Sequence, residues 1–228
     1  MSTRIERATL SDCHLARDTV VVIDVLRAFT TAAFAFAAGA KEIVLVSTIG
    51  EAFALKEVFP QALLVGEERG LPIEGFDFGN SPSELKTEDL SGKRLIQRTS
   101  TGTQGVVKSR RAERVLVTGL CNVSATVAYL KQHQIQTLTL VEAGVHDDKS
   151  GLDDSACGDF IEALLQGKDT NQDAIRHRVL ESPAAAKFLD TSLGAFPLAD
   201  LEFAVQIDRF DFAMKVTWQN ERAHLHRV

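Results

Sequence analysis

Cysteine is scarce in this chain. Cys13, Cys121 and Cys157 are the three among 228 residues, and no Cys-x-x-Cys pair occurs. An odd, scattered set excludes a disulfide framework or a zinc ribbon and points to reduced thiols in a cytoplasmic setting. Long apolar runs are missing as well, so no segment reads as a membrane span. The opening MSTRIERATLSDCHLARD lacks the apolar centre of a secretory leader. Positive charge is not in excess. The formal net charge is −6, which argues against a nucleic-acid-binding face. With no linker, low-complexity tract or strong repeat, residues 1–228 read as a single domain.

What is present is an alternation of strands and helices. Continuous β-branched or aliphatic runs at Val20–Ile23, Ile43–Val46, Ala62–Val65, Leu95–Gln97, Val115–Val117 and Leu138–Val141 read as strands buried on both faces. Between them Phe29–Ala38, Ile49–Val58, Val106–Arg110, Val123–Lys131 and Asp154–Leu165 read as helices. The pattern predicts an α/β fold, a layered α/β/α arrangement with a mainly parallel or mixed sheet, and it is compatible with two similar halves. Beyond Gln166 helical patterning prevails over Asn171–Leu180, Ala184–Leu189 and Leu198–Asp208. Lys215–Trp218 and Ala223–His226 then flank Gln219-Asn220-Glu221 as a short hairpin.

Chemistry is concentrated after the strands, where open α/β sheets bind ligands. The stretch EERGLPIEGFDFGNSP over residues 67–82 combines Glu67, Glu68, Glu74 and Asp77 with Arg69, Asn80 and Ser81. Gly66, Gly70, Gly75 and Gly79 space these groups. Clustered carboxylates need a cation or strong donors to hold them together, and Asp24, Glu67, Glu68 and Asp77 are the candidate ligands for Mg²⁺. RTSTGTQG, which brings Arg98, Thr99, Ser100, Thr101, Gly102 and Thr103, has the composition of an oxyanion cradle, and equally of a helix N-cap cluster. Asp24 and Arg27 follow the first buried run, Cys121 and Asn122 the fifth, and Glu142, His146, Asp147, Asp148, Asp153 and Asp154 the sixth. Arg27 either clamps an anion or balances Asp24. The Asp153-Asp154 pair is read chiefly as a helix cap. These ends are expected to converge on one edge of the sheet.

Several known phosphatase schemes are absent. Leu26 stands where an aspartate-nucleophile enzyme needs its second Asp, neither Cys121 nor Cys157 begins Cys-x₅-Arg, and no Gly-Lys-Ser/Thr occurs. Arg176-His177-Arg178 lacks the glycine of the histidine phosphatases.

The ordered segments VVVIDVLRAFTTAAFAFAAGAKEI, GEERGLPIEGFDFGNSP, RTSTGTQG, LCNVSA and LDDSACGDFIEALL resemble the 2-phosphosulfolactate phosphatase family. The likeness covers about residues 18–166, with a weaker match at 200–216. It implies Mg²⁺-dependent hydrolysis of 2-phosphosulfolactate, or of a related phosphorylated 2-hydroxy acid, to 3-sulfolactate and phosphate. In the family's best-known setting that reaction serves coenzyme M biosynthesis. The positions implied are Asp24, Arg27, Glu68, Asp77, Asn80, Ser81, Thr101, Gly102, Thr103, Asn122 and Asp154. Thr101-Gly102-Thr103 departs from the Asn-Gly-Thr of many members. The expected partner is a small phosphorylated acid, with a homodimer as the default assembly for a chain of this size. The rival readings are a non-catalytic sensor of such acids and a phosphoryl or nucleotidyl transferase.

Overall fold

A computed structural model describes residues 3–144 and 151–228. The chain forms β1 (Arg4–Ala8), β2 (Thr19–Ile23), α1 (Ala28–Ala37), β3 (Glu42–Val46), α2 (Ile49–Val58), β4 (Leu63–Glu68), β5 (Leu71–Pro72), α3 (Pro82–Leu85), β6 (Arg94–Arg98), α4 (Gly102–Lys108), β7 (Arg114–Thr118), α5 (Val123–Gln132), β8 (Thr137–Glu142), α6 (Leu152–Leu165), α7 (Gln172–Leu180), α8 (Pro183–Leu189), α9 (Leu198–Ala204), β9 (Met214–Gln219) and β10 (Arg222–Arg227). The α/β class and the six buried strands agree with the expectation.

All ten strands join one sheet in the order β1-β8-β2-β7-β9-β10-β3-β6-β4-β5. β1, β8, β2 and β7 are mutually parallel, as are β3, β6 and β4. The β9–β10 hairpin pairs antiparallel with β7 on one side and β3 on the other. Two parallel blocks therefore run in opposite senses. The expected hairpin exists, with Asn220 and Glu221 at φ 49° and 64° as a two-residue hairpin turn demands. Its position, as the seam at the centre of the sheet, is not what a terminal hairpin suggests.

Alternation along the strands builds the layers. Val20 and Val22 of β2, with Ile43 and Leu45 of β3, enter one core shared with α1 and Val106 of α4. Val21 and Ile23 face a second core under α5, α6 and α7. Val44 and Val46 face a third under α2. Helices thus cover both faces, giving α/β/α. Helix α4 touches both β2 and β3, although these lie four strand spacings apart, about 19 Å at ~4.8 Å each. A helix is only about 10–12 Å across, so the sheet must curl around it. This curl matters for function: in a flat sheet the carboxyl ends of the two blocks would lie at opposite edges. The shared position also explains why α1 is Ala- and Phe-rich and buried from Ala28 to Phe36.

β1 was not apparent as a strand because an edge strand buries one side only. Just Ala8 of RIERA is buried, and Ile5 is partly so.

At the amino end of β3, the Glu42 carboxylate meets His224 Nδ1 at 3.0 Å and accepts a hydrogen bond from Arg94 Nε at 2.6 Å, which ties β3, β6 and β10 together. Burial raises the Glu42 pKa, but the bonds from His224 and Arg94 outweigh it, and the net shift is downward from 4.5. A depressed carboxyl pKa contributes stability above its unfolded value, which is lost as pH falls through the folded value. The melting temperature is therefore expected to fall as pH drops below about 4.5, and Glu42→Gln to flatten that slope in a thermal denaturation series. An unchanged slope would remove Glu42 from the acid response.

Candidate active site

The site begins at Asp24, which directly follows the buried β2. Its Oδ1 accepts the Ala28 N–H at 2.8 Å and its Oδ2 the Thr101 hydroxyl at 2.7 Å. The second bond joins the carboxyl end of β2 in one block to that of β6 in the other. Gly102 makes this approach feasible, since a Cβ there would lie 2.7 Å from Ala28 Cβ and 2.8 Å from Asp24 Oδ2.

Glu67, near the end of β4, is buried by the turn it organises. It accepts from the backbone N–H groups of Gly70 and Ser100 and, at 3.1 Å, from the Ser100 hydroxyl. Ser100 Oγ also accepts the Arg69 N–H at 2.8 Å. Asp153 and Asp154, in the first turn of α6, complete the acidic wall. Asp154 accepts the Val25 N–H at 2.8 Å and the Gly144 N–H at 2.7 Å, so it pins β2, β8 and α6 together. Among the described residues, Asp153 Oδ1 is buried without a hydrogen-bond partner.

Four buried carboxylates thus share one neighbourhood. Burial pushes the Asp24 pKa up to about 6 against the bonds from Thr101 and Ala28. Burial and then the Asp24 charge push Asp153 up to about 7. Burial and the charges of Asp153 and Asp24 hold Asp154 well above the usual carboxylate range. Such crowding relaxes only when a proton or a cation is taken up.

The opposite wall comes from the C-terminal helices. Arg27 donates through Nη1 to Asp200 Oδ2 at 2.7 Å and to the Ala195 carbonyl at 3.1 Å. Its guanidinium lies 5.1 Å from the ring centre of Phe188 and 5.0 Å from that of Phe196. Asp200 is fully buried and also accepts from the Ser81 hydroxyl and the Ser83 N–H, both at 2.9 Å. Between the walls lies a cavity of about 520 Å³. Asp24, Arg27, Glu67, Arg69, Asn80, Ser100, Thr101, Asp153, Asp154 and Lys187 contribute to its surface. A larger hollow of about 700 Å³ beside the β1 edge has no carboxylate in its lining.

The strand ends do not share one edge, since the two blocks run in opposite senses; residues from both blocks nevertheless meet in one cleft, though fewer than anticipated. Asp77 stands apart. Its Oδ2 accepts the Leu64 N–H at 2.7 Å and meets Lys56 Nζ at 3.3 Å, at the amino end of β4. Glu68 points to solvent and pairs with Arg98 at 3.2 Å. Arg98 itself braces the Glu67 carbonyl at 2.7 Å and does not line the cavity. Thr99 and Thr103 bond one another's backbone N–H groups at 3.0 and 2.9 Å, which locks the turn beneath Ser100 and Thr101. Asn122 is fully buried, accepting from Thr118 and donating to the Phe212 carbonyl. Ser81 serves Asp200. Cys121 is a buried thiol with its pKa pushed up to about 12, not a nucleophile. His146, Asp147 and Asp148 lie outside the described residues.

Asp200, Lys187, Phe188 and Phe196 are the site residues that sequence reasoning did not single out. The adjacent acids at 153–154 were visible as candidates but read chiefly as a helix cap.

Residues 5–218 match the family described as 2-phosphosulpholactate phosphatase. A Bacillus subtilis protein named "Probable 2-phosphosulfolactate phosphatase" is 38% identical over 213 residues, spanning 92% of each chain. Proteins of the same name from Caldanaerobacter subterraneus and Carboxydothermus hydrogenoformans are 33% and 35% identical. These alignments cover 91% of each chain for the first, and 83% of this chain and 79% of the relative for the second. With that coverage, and with the acidic and hydroxyl-bearing segments of the likeness meeting in one cleft, this chain belongs to the 2-phosphosulfolactate phosphatase family.

Proposed function

We propose that the protein is a phosphoric monoester hydrolase that converts 2-phosphosulfolactate, or a closely related phosphorylated 2-hydroxy acid, to the free hydroxy acid and phosphate. The observation that carries this reading is the Asp24–Thr101 contact inside an acidic cleft that also presents Arg27, Arg69 and Lys187. A phosphorylated acid needs carboxylate chemistry at phosphorus, which the acidic wall supplies, and positive charge to balance its anionic groups, which the opposite wall supplies.

Mg²⁺ fits the donor set. Among the described residues no three His, Cys, Asp or Glu side chains stand as a ready-made cage, and Mg²⁺ takes one or two carboxylates with water and substrate oxygens. Asp153, with its unpartnered Oδ1, would hold the ion, with Asp154 beside it in the first turn of α6. Glu68 and Asp77 lie away from this point, and Glu67 is occupied with the β4–β5 turn. Bound there, the ion would act as a Lewis acid toward the phosphoryl oxygens.

Asp24 acts as the proton acceptor. The Ala28 N–H and the Thr101 hydroxyl fix its orientation, and a pKa near 6 leaves it ionised at neutral pH yet able to hold a proton. The attacking water gives its proton to Asp24 as its oxygen bonds phosphorus. The bond from phosphorus to the ester oxygen breaks, and that oxygen leaves as the hydroxyl of the product after taking a proton from solvent. Ser100 and the backbone of its turn steady the phosphoryl group.

Phosphate release from 2-phosphosulfolactate and from phospholactate tests the reading. Release is expected with Mg²⁺, lost on chelation with EDTA and restored by added Mg²⁺. Release that survives chelation would remove the metal. No release from any phosphomonoester, with tight anion binding retained, would make the protein a sensor.

A further inference from the structure

The cations around the cleft differ in how they are neutralised. Arg27 is matched by Asp200. Arg69 and Lys187 line the same cleft, and neither has a carboxylate partner among the described residues. Lys187 and Arg27 face one ring, which also packs against the glycine that follows Arg69. Lys187 Nζ lies 5.6 Å from the centre of Phe196, and Arg27 Cζ lies 5.0 Å from it. The edge of the same ring sits against Gly70, where a Cβ would come within 2.8 Å of Phe196 Cζ. Arg69, which precedes that glycine, is held at φ 53° in the β4–β5 turn. Phe196 in turn stands edge-on to Phe188 at 5.4 Å.

The fold thus places two unneutralised cations beside an already paired arginine, against an apolar aromatic wall. Arg69 and Lys187 are exposed at the cleft surface, within reach of an anion that enters it. The phosphoryl end of a substrate belongs at the other wall, beside Asp24 and Thr101.

We propose that Lys187 and Arg69, organised around Phe196, form a second anion subsite that recognises the non-phosphate acidic group of the substrate, a carboxylate or sulfonate, and so sets specificity for phosphorylated acids over simple phosphomonoesters. The subsite rests on the hydrolase reading for its role but not for its existence. It leaves Lys187 and Arg69 outside the chemical step and makes them specificity residues.

Two measurements test it. In steady-state kinetics, the ratio of kcat/KM for 2-phosphosulfolactate to that for 4-nitrophenyl phosphate is expected to fall about tenfold in Lys187→Ala and again in Arg69→Ala, one charge-assisted contact each. Lys187→Arg should restore most of the ratio. An unchanged ratio overturns the subsite. In calorimetry, 3-sulfolactate, which carries no phosphate, is expected to bind the wild-type protein and to lose about tenfold in affinity in Lys187→Ala. Equal binding to both proteins, or none to the wild type, overturns the subsite whatever the protein hydrolyses. Sulfolactate binding that depends on Lys187, in a protein releasing no phosphate, would keep the subsite and reject the hydrolase.

Discussion

Asp24→Asn is expected to lower kcat for phosphate release by about 10²–10⁴-fold, the range spanned by positioned acid–base groups, without loss of the fold. The substitution is nearly isosteric. Asparagine Oδ1 still accepts the Ala28 N–H, and its amide can donate to Thr101 Oγ1, so the link between the two sheet blocks survives with its donor reversed. What disappears is the ability to take a proton. The effect on stability has the opposite sign. Asp24 is buried beside Glu67, Asp153 and Asp154, and its pKa is raised to about 6 from 3.8. A carboxyl group whose pKa rises on folding destabilises the native state at any pH where it is ionised. Removing its charge at neutral pH should therefore leave the melting temperature unchanged or higher. Parallel kcat and thermal denaturation measurements check both halves. A variant with near-normal turnover would take Asp24 out of the mechanism. An unfolded variant would show that Asp24 holds the blocks together by its charge.

The features legible in the sequence are those whose cause is local. β2 could be read from Val20–Ile23 because a strand buried on both faces tolerates only apolar side chains. Ser100 and Thr101 were visible as a hydroxyl-rich turn after a strand, which suits an oxyanion cradle and a helix N-cap cluster alike, and both line the cleft. The misplaced residues are those whose partners come from afar. Asp77 reads as part of one acidic cluster with Glu67, but the chain doubles back between them. Asp77 bonds the N–H of Leu64, three residues and about 10 Å along β4 from Glu67. Asp153 and Asp154 do occupy the first turn of α6, where a helix favours acids. Burial against β2 and β8, which turns them into site residues, leaves no local mark. The opposed strand blocks were equally hidden, because strand direction depends on which neighbour the terminal hairpin chooses.

Asp200 is the extreme case, and its removal has the second large expected effect. It lies 173 residues from Arg27 in the chain, yet the pair bridges the start of α1 and α9 at 2.7 Å. Both side chains are buried, Arg27 to 5% exposure and Asp200 to none. Ser81 and Ser83 supply the other donors to the same carboxylate, so α3 is joined to α9 as well. Asp200→Ala strands a guanidinium between Phe188 and Phe196 with only the Ala195 carbonyl left to it, and strands the Ser83 N–H too. Breaking a buried pair on one side costs about 3–5 kcal/mol, and a shift of that size should appear as a lower denaturation midpoint with an unchanged slope. Because Arg27 lines the cleft, kcat/KM should fall in the same variant. The double variant Arg27→Met with Asp200→Leu separates the two effects. It removes both charges and replaces them with apolar groups, so most of the stability should return while activity stays low. A loss below about 1 kcal/mol in Asp200→Ala, the level of an exposed ion pair, would show that this wall opens readily and that Arg27 reaches solvent once its partner is gone.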